Sequence, residues 1–151
     1  MAQVRIEDET HVNASAGDVW NAIKDPAAHA RWHPFVTRIS GEHRLGATRA
    51  CSVVVGRKTG QTRERCTEER EGEAIVWAVE HDSTGFSRLV SDWRAGFRLE
   101  RRDDGTLVTA HSAFTPRSVL VRFMGPIIRR KFHRTQKAIL DALKQSVEAQ
   151  E

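Results

Sequence analysis

Apolar residues in the first quarter of the chain change period at Val12. From Val4 to Val12, the positions Val4, Ile6, Thr10 and Val12 alternate with Arg5, Glu7, Glu9 and His11, the period of two that predicts a half-buried strand. Asp8 has the inward parity of that strand. From Ala16 to Lys24 the stripe Ala16, Val19, Trp20 and Ile23 has helical spacing, and Ser15-Ala16-Gly17-Asp18 reads as its capping box. Asp25-Pro26 stops this helix. Asp25 then caps a short second helix with Pro26 at its first position, which runs to about Trp32 before His33-Pro34 ends it.

From Val36 onward the pattern predicts a β meander over Val36 to Glu42, Thr48 to Val55, Thr62 to Arg70, Ala74 to His81, Arg88 to Arg101 and Thr106 to Phe114. The strings GRKTG, REGE, DSTGF and RDDGT have hairpin lengths, so consecutive strands pair antiparallel. An amphipathic segment follows, from about Arg117 to Val147. Met124, Ile128, Phe132, Thr135, Ile139 and Ala142 form its apolar stripe, widened by Leu143, and Pro126 predicts a kink or restart inside it. The chain therefore reads as one α+β domain over residues 1–151. Its fold is a curved seven-stranded antiparallel sheet around a long C-terminal helix, with two short helices after the first strand. A sheet gripping a helix over part of its length leaves a cavity, so a ligand site is expected between the two.

Turn positions fix cross-strand partners, because residues opposite one another in a hairpin share a face. Centring GRKTG between Lys58 and Thr59 sets Cys51 against Cys66 and Val53 against Glu64; REGE sets Cys66 against Trp77, Glu64 against Val79 and Glu68 against Ile75. A loop centred on Gly85 sets Trp77 against Trp93 and Val79 against Ser91, and a turn at Asp104-Gly105 sets Phe97 against Ser112, Leu99 against Ala110 and His111 against Arg98. The expected inner face then carries Cys51, Val53, Glu64, Cys66, Trp77, Val79, Ser91, Trp93, Phe97, Ala110, Ser112 and Phe114. His111 is expected to point outward.

Composition narrows the classes. Lys and Arg number 24 against 20 Asp and Glu, a net charge of +4 that is mostly interleaved with acids, which does not indicate a nucleic-acid binder. The exception is the basic run Arg129, Arg130, Lys131 and Arg134 on the last helix, which can dock an acidic protein or an anionic membrane surface, or serve only as a solvated face. Two cysteines without a ligand cluster fit neither a disulfide framework nor zinc, and the seven histidines lack metal-ligand spacing. No metal and no cofactor are expected. With neither a signal-like N-terminus nor a long apolar run, the expected location is the cytoplasm.

Val12-Asn13-Ala14-Ser15-Ala16-Gly17-Asp18-Val19-Trp20, Asp25 with Arg31-Trp32-His33-Pro34-Phe35-Val36, Arg63-Glu64-Arg65-Cys66-Thr67-Glu68, and Gly125-Pro126 with the basic run after it span nearly the whole chain. Together they resemble the polyketide cyclase/dehydrase-like branch of the START and birch-pollen-allergen superfamily. The resemblance implies the helix-grip fold, and a gate at His33 over the cavity mouth. It does not select among lipid carriers, aromatases and receptors. The glycine-rich loop of the plant members is reduced here to Gly41 and Gly46, and no Rieske ligand pattern is present.

Glu64 is the leading candidate for a catalytic acid or base, as a desolvated inner-face carboxylate; the alternative is an ion pair with an arginine. Ligand contacts are expected from Glu64, Cys66, Trp77, Val79, Ser91, Trp93, Trp32, His33, Ile128 and Phe132. Cys51 and Cys66 read as inert buried thiols, and His33 either caps its helix or acts as a base. Three functions compete: a carrier or sequestering protein for a small hydrophobic, lipid-like or polyketide-like molecule; a polyketide cyclase, aromatase or dehydratase using the same cavity; and an interaction module docking through the basic helix.

Overall fold

The computed structural model of the protein describes residues 2–150. Strand β1 (Val4–Val12) keeps the expected alternation, with Ile6 and Val12 wholly buried. Helices α1 (Ala16–Lys24) and α2 (Pro26–Trp32) begin where their caps predict: the Ser15 side chain accepts the Asp18 N–H and the Asp25 side chain accepts the Ala27 N–H. Strands β2 (Val36–Gly41), β3 (Thr48–Val55), β4 (Lys58–Arg70), β5 (Ala74–Asp82), β6 (Val90–Arg102) and β7 (Gly105–Pro116) follow, then helices α3 (Val119–Phe123) and α4 (Gly125–Glu148). All pairs are antiparallel, and the seven strands lie in the order β1-β7-β6-β5-β4-β3-β2. This is the helix-grip fold. The sheet curls around α4, helped by bulges at Arg63/Glu64 and Cys66/Glu68 of β4 and at Ser91/Arg94 of β6, where Asp92 has φ 51°.

Registers differ from the hairpin reading throughout at three of the four turns and in part at the fourth. The β3–β4 turn is the two-residue Gly56-Arg57, with Gly56 at φ 62°, so Cys51 faces Thr62 rather than Cys66, and Arg49 faces Glu64. The shift is even, so every side chain keeps its face and only partners change. Cys66 opposite Trp77 and Glu64 opposite Val79 hold in the structure, but the bulge beyond Cys66 moves Ile75 from Glu68 to Glu69. Trp77 faces Ala95, not Trp93, because the Ser83–Leu89 loop is no simple hairpin: Asp82 accepts the N–H groups of Thr84 and Ser87, and Phe86–Arg88 forms a 3-10 turn. The β6–β7 turn pairs Arg102 with Gly105, so Phe97 faces Ala110, Leu99 faces Val108 and His111 faces Gly96. His111 lies on the outer face yet is buried.

The C-terminal segment restarts, as Pro126 predicts. The break falls at Met124, with Pro126 in the first turn of α4, and leaves Met124 38% exposed instead of in the core stripe. Beyond Phe132 the inward face is Gln136, Leu140, Leu143 and Val147, whereas Thr135 is exposed. Two apolar clusters result. One joins Val12, Val19, Trp20, Ile23, Trp32, Cys66, Ile75, Trp77, Phe97 and the second half of α4; the other joins Ile6, Val90, Phe114, Val121 and Ile128 with Val4, Phe86, Trp93 and Phe132. No described helix is long and apolar enough to cross a membrane.

Candidate ligand-binding site

At the α2 end of the grip the interior is filled by a polar assembly around Arg49. Its guanidinium donates to Glu64 Oε1 through Nε (3.0 Å) and Nη2 (2.7 Å), donates through Nη1 to His43 Nε2 (2.9 Å), and lies 3.7 Å from the centre of the Trp77 ring. Thr62 Oγ1 donates to the other Glu64 oxygen at 2.7 Å. Both side chains are largely shielded, Arg49 at 8% and Glu64 at 13% exposure, so neither charge is left uncompensated. His29 and His43 each donate Nδ1–H to the same carbonyl, that of Ile23, at 3.1 and 3.0 Å. Burial pushes the His43 imidazole down to about 4 and His33 to about 3, with the positive Arg49 acting in the same direction; His29 is likewise held well below its ordinary value. All three rings are therefore neutral near pH 7. They pack rather than react: His29 lies 4.8 Å from Trp32 and 5.3 Å from His33, and His43 lies 5.1 Å from Trp77, between ring centres.

The α3 end is apolar. Phe86 meets Trp93 at 5.0 Å, Phe114 at 5.4 Å and Phe132 at 5.3 Å, and Phe114 meets Phe132 at 5.2 Å. A groove of about 230 Å³, walled by Val4, Phe114, Pro116, Val121 and Ile128, opens this cluster to the surface between α3, α4 and β1. The indole N–H of Trp93 is buried and has no acceptor among the described residues, as is also true of Trp77 and Trp20. Such a donor costs about 1–3 kcal/mol when unpaired. One residue pair or one helical turn further along β1, β7 and α4 lies a polar chain. Asp8 accepts from His133 Nδ1 (2.8 Å) and Gln136 Nε2 (2.8 Å), and Gln136 Oε1 accepts from Ser112 Oγ (2.8 Å). The bond to Asp8 fixes the proton on His133 Nδ1 when the ring is neutral, leaving Nε2 as an acceptor.

The expected site residues thus divide. Glu64, Cys66, Trp77, Val79, Trp32 and His33 belong to the α2 end, and Trp93, Ile128 and Phe132 to the α3 end. Ser91 leaves the inner face altogether: it pairs with Thr115, while Val90, opposite Pro116, enters the apolar cluster. The bulge at Asp92 causes the swap. Glu64 is not an isolated desolvated carboxylate but the partner of Arg49, the alternative its sequence context allowed. His33 caps: its Nδ1 accepts the N–H groups of Phe35 (3.1 Å) and Val36 (3.2 Å) at the turn into β2. Burial drives the Cys51 thiol up to about 11 and raises that of Cys66, so neither is an activated nucleophile. Sequence reasoning missed Arg49, His29, His43, His133 and Gln136 as site members, and put Ser112 on the inner face without a role. Correct centring of the Gly56-Arg57 turn exposes Arg49, and the i, i+3 spacing of His133 and Gln136 along α4 exposes the partners of Asp8.

An antiparallel sheet gripping one long helix, with an apolar cluster at one end and a buried polar chain beside it, defines a domain of the helix-grip class. A model of the family described as polyketide cyclase / dehydrase and lipid transport matches residues 3–148, and the chain belongs to that family. Among solved structures, the Zhui aromatase/cyclase from Streptomyces sp. R1128 is 18% identical, with 97% of this chain and 94% of that one aligned at a TM-score of 0.76. A START superfamily protein from Mycobacterium smegmatis is 16% identical over 97% of this chain and 99% of that one, with a TM-score of 0.79. The di-domain aromatase/cyclase StfQ from the steffimycin biosynthetic pathway is 16% identical, covering 98% of this chain but 51% of that one, with a TM-score of 0.79. Likeness at this level of identity concerns the fold. No curated protein matches the sequence.

Proposed function

We propose that the protein binds a small hydrophobic, lipid-like or polyketide-like molecule at the α3 end of the grip, as a carrier or sequestering protein. The observation that carries this reading is the apolar cluster of Phe86, Trp93, Phe114, Ile128 and Phe132, of which Phe114 and Ile128 also wall a groove at the surface; an apolar concavity of this kind is the usual form of a ligand site. Helix α3 is the movable wall. Val121 is its one buried residue, and Val119, Leu120 and Phe123 face solvent, so little packing opposes its lifting to admit a molecule larger than the groove. The Asp8–Gln136–Ser112 chain supplies donors and acceptors for a polar end. Native mass spectrometry after incubation with oleic acid should show a one-to-one complex that Phe132→Asp removes from a folded protein. Absence of the complex in wild type at concentrations where the free acid is monomeric contradicts the proposal.

A second reading, cyclase or dehydratase chemistry, is favoured by the Asp8–His133 pair. A carboxylate that orients an imidazole and leaves Nε2 as acceptor is the geometry of a general base, and it takes over the role that Glu64, held by Arg49, does not offer. Conversion of a poly-β-keto substrate mimic with loss of water, abolished by His133→Gln while the mimic still binds, would support it. Binding without conversion by wild type would leave the carrier reading alone.

A further inference from the structure

Residues 105–140 contain no Asp or Glu, yet Arg117, Arg122, Arg129, Arg130, Lys131, Arg134 and Lys137 fall within them. All seven cations are exposed, and among the described residues none lies within ion-pair distance of a carboxylate. Arg5, Arg65, Arg94 and Arg98, elsewhere on the surface, each hold one. In the midst of these cations lie the four most exposed of the large apolar side chains: Phe123 at 80%, Leu120 at 72%, Ile127 at 63% and Val119 at 62%. Val119, Leu120 and Phe123 share the outer face of α3, opposite the buried Val121. Ile127, Arg130, Lys131 and Arg134 continue along α4 at helical spacing, on the side away from Ile128 and Phe132.

We propose that α3 and the first three turns of α4 dock the protein on an anionic lipid bilayer, with Leu120, Phe123 and Ile127 entering the interface and the arginines and Lys131 holding lipid headgroups. Exposed aromatic and aliphatic residues inside a cationic collar form the pattern of an interfacial amphipathic helix. A second copy of the chain is a poorer occupant, because a two-fold contact would set the same cations against themselves. The docked helices carry the helical walls of the groove, Val121 of α3 and Ile128 of α4. This inference rests on the proposed function only for its purpose, which would be to open the chamber toward a membrane that supplies or receives the ligand.

Co-sedimentation with vesicles of phosphatidylcholine containing 30% phosphatidylserine, set against pure phosphatidylcholine, tests the docking. Binding to the anionic vesicles is expected, and it should fall steeply as salt rises. Neutralising Arg130→Gln with Arg134→Gln should weaken it roughly 25-fold, at about fivefold for each charge. Leu120→Ser with Phe123→Ser should weaken it at least about tenfold through lost apolar area. These side chains support no core contact, so thermal midpoints and oleic acid binding in solution should stay at wild-type values. Failure of oleic acid binding with vesicle binding intact would sink the ligand reading and leave the docking in place. Equal sedimentation with both vesicle types, or anionic binding that survives both double substitutions, overturns the proposal. So does a concentration-dependent dimer in analytical ultracentrifugation that Phe123→Ser abolishes while vesicles bind nothing.

Discussion

Acidification from pH 7 to pH 5 should destabilise this protein through its buried histidines. A group whose folded pKa lies below its unfolded value makes the unfolded chain the better proton binder. Its contribution is complete above the unfolded value near 6.5 and is lost as pH falls toward the folded value. His43 and His111 are both held at about 4, first by burial; beyond that, Arg49 acts on His43, and Arg5 and Arg98 act on His111 against the opposing Glu7 and Glu68. At pH 5 each therefore costs about 2 kcal/mol, from roughly 1.5 pH units at 1.36 kcal/mol per unit. Together they remove about 4 kcal/mol, a large share of a stability of about 5–15 kcal/mol, and His29 and His33 add to the loss in the same direction. Carboxylates such as Glu7 and Glu69, held low first by hydrogen bonds from Arg5 and Lys24, lose their contribution only as pH falls through their ordinary value of 4.5 and below, outside this window. Urea unfolding followed by tryptophan fluorescence at pH 7 and pH 5 measures the loss. His43→Gln keeps an acceptor for Arg49 but cannot titrate, so it should lose about 2 kcal/mol less than wild type over the same interval. Equal stability at the two pH values, or an undiminished loss in His43→Gln, would refute the neutral-histidine account.

Two further predictions test the frame. Glu64→Gln strips the buried Arg49 of its counter-charge and should cost about 3 kcal/mol at pH 7, while adding Arg49→Met should recover most of that in urea unfolding; a single variant as stable as wild type would show the pair to be solvated. Gly96→Ala places a methyl 2.2 Å from the Ile75 carbonyl and 2.9 Å from Val76 Cα, both backbone, whereas Gly60→Ala meets first a side-chain methyl, that of Thr84, at 2.7 Å. The first should lower stability by about 3 kcal/mol and the second by under about 1 kcal/mol, judged from thermal midpoints.

Elements with a local cause were legible in the sequence. Ser15 and Asp25 announce α1 and α2, Pro26 and Pro126 mark helix starts, and the alternation in Val4–Val12 sets the face of β1. Partners across strands were not, because they depend on which two residues of a glycine-rich string make the turn. GRKTG offers more than one centre, and placing it two residues late hid the Arg49–Glu64 pair while leaving every face correct. Bulges defeat parity outright. Nothing local to Ser91 shows that Asp92 takes φ 51° and hands the inner position to Val90. The histidines around Ile23 were equally hidden, since His29 and His43 come from separate segments that meet at one carbonyl only in the folded chain.

The most direct test of a ligand chamber at the α3 end is the set of tryptophan indole N–H resonances in a ¹H–¹⁵N spectrum during titration with oleic acid, assigned by Trp→Phe variants. Trp93 has a buried indole N–H without an acceptor among the described residues and lies in the apolar cluster, while Trp32 Nε1 donates to the Ala22 carbonyl at 2.8 Å and lies at the other end of the grip. Saturable displacement of the Trp93 signal with Trp32 unmoved is the predicted result. Saturation that leaves Trp93 in place and shifts Trp32 or Trp77 instead would put the ligand at the α2 end and contradict the account.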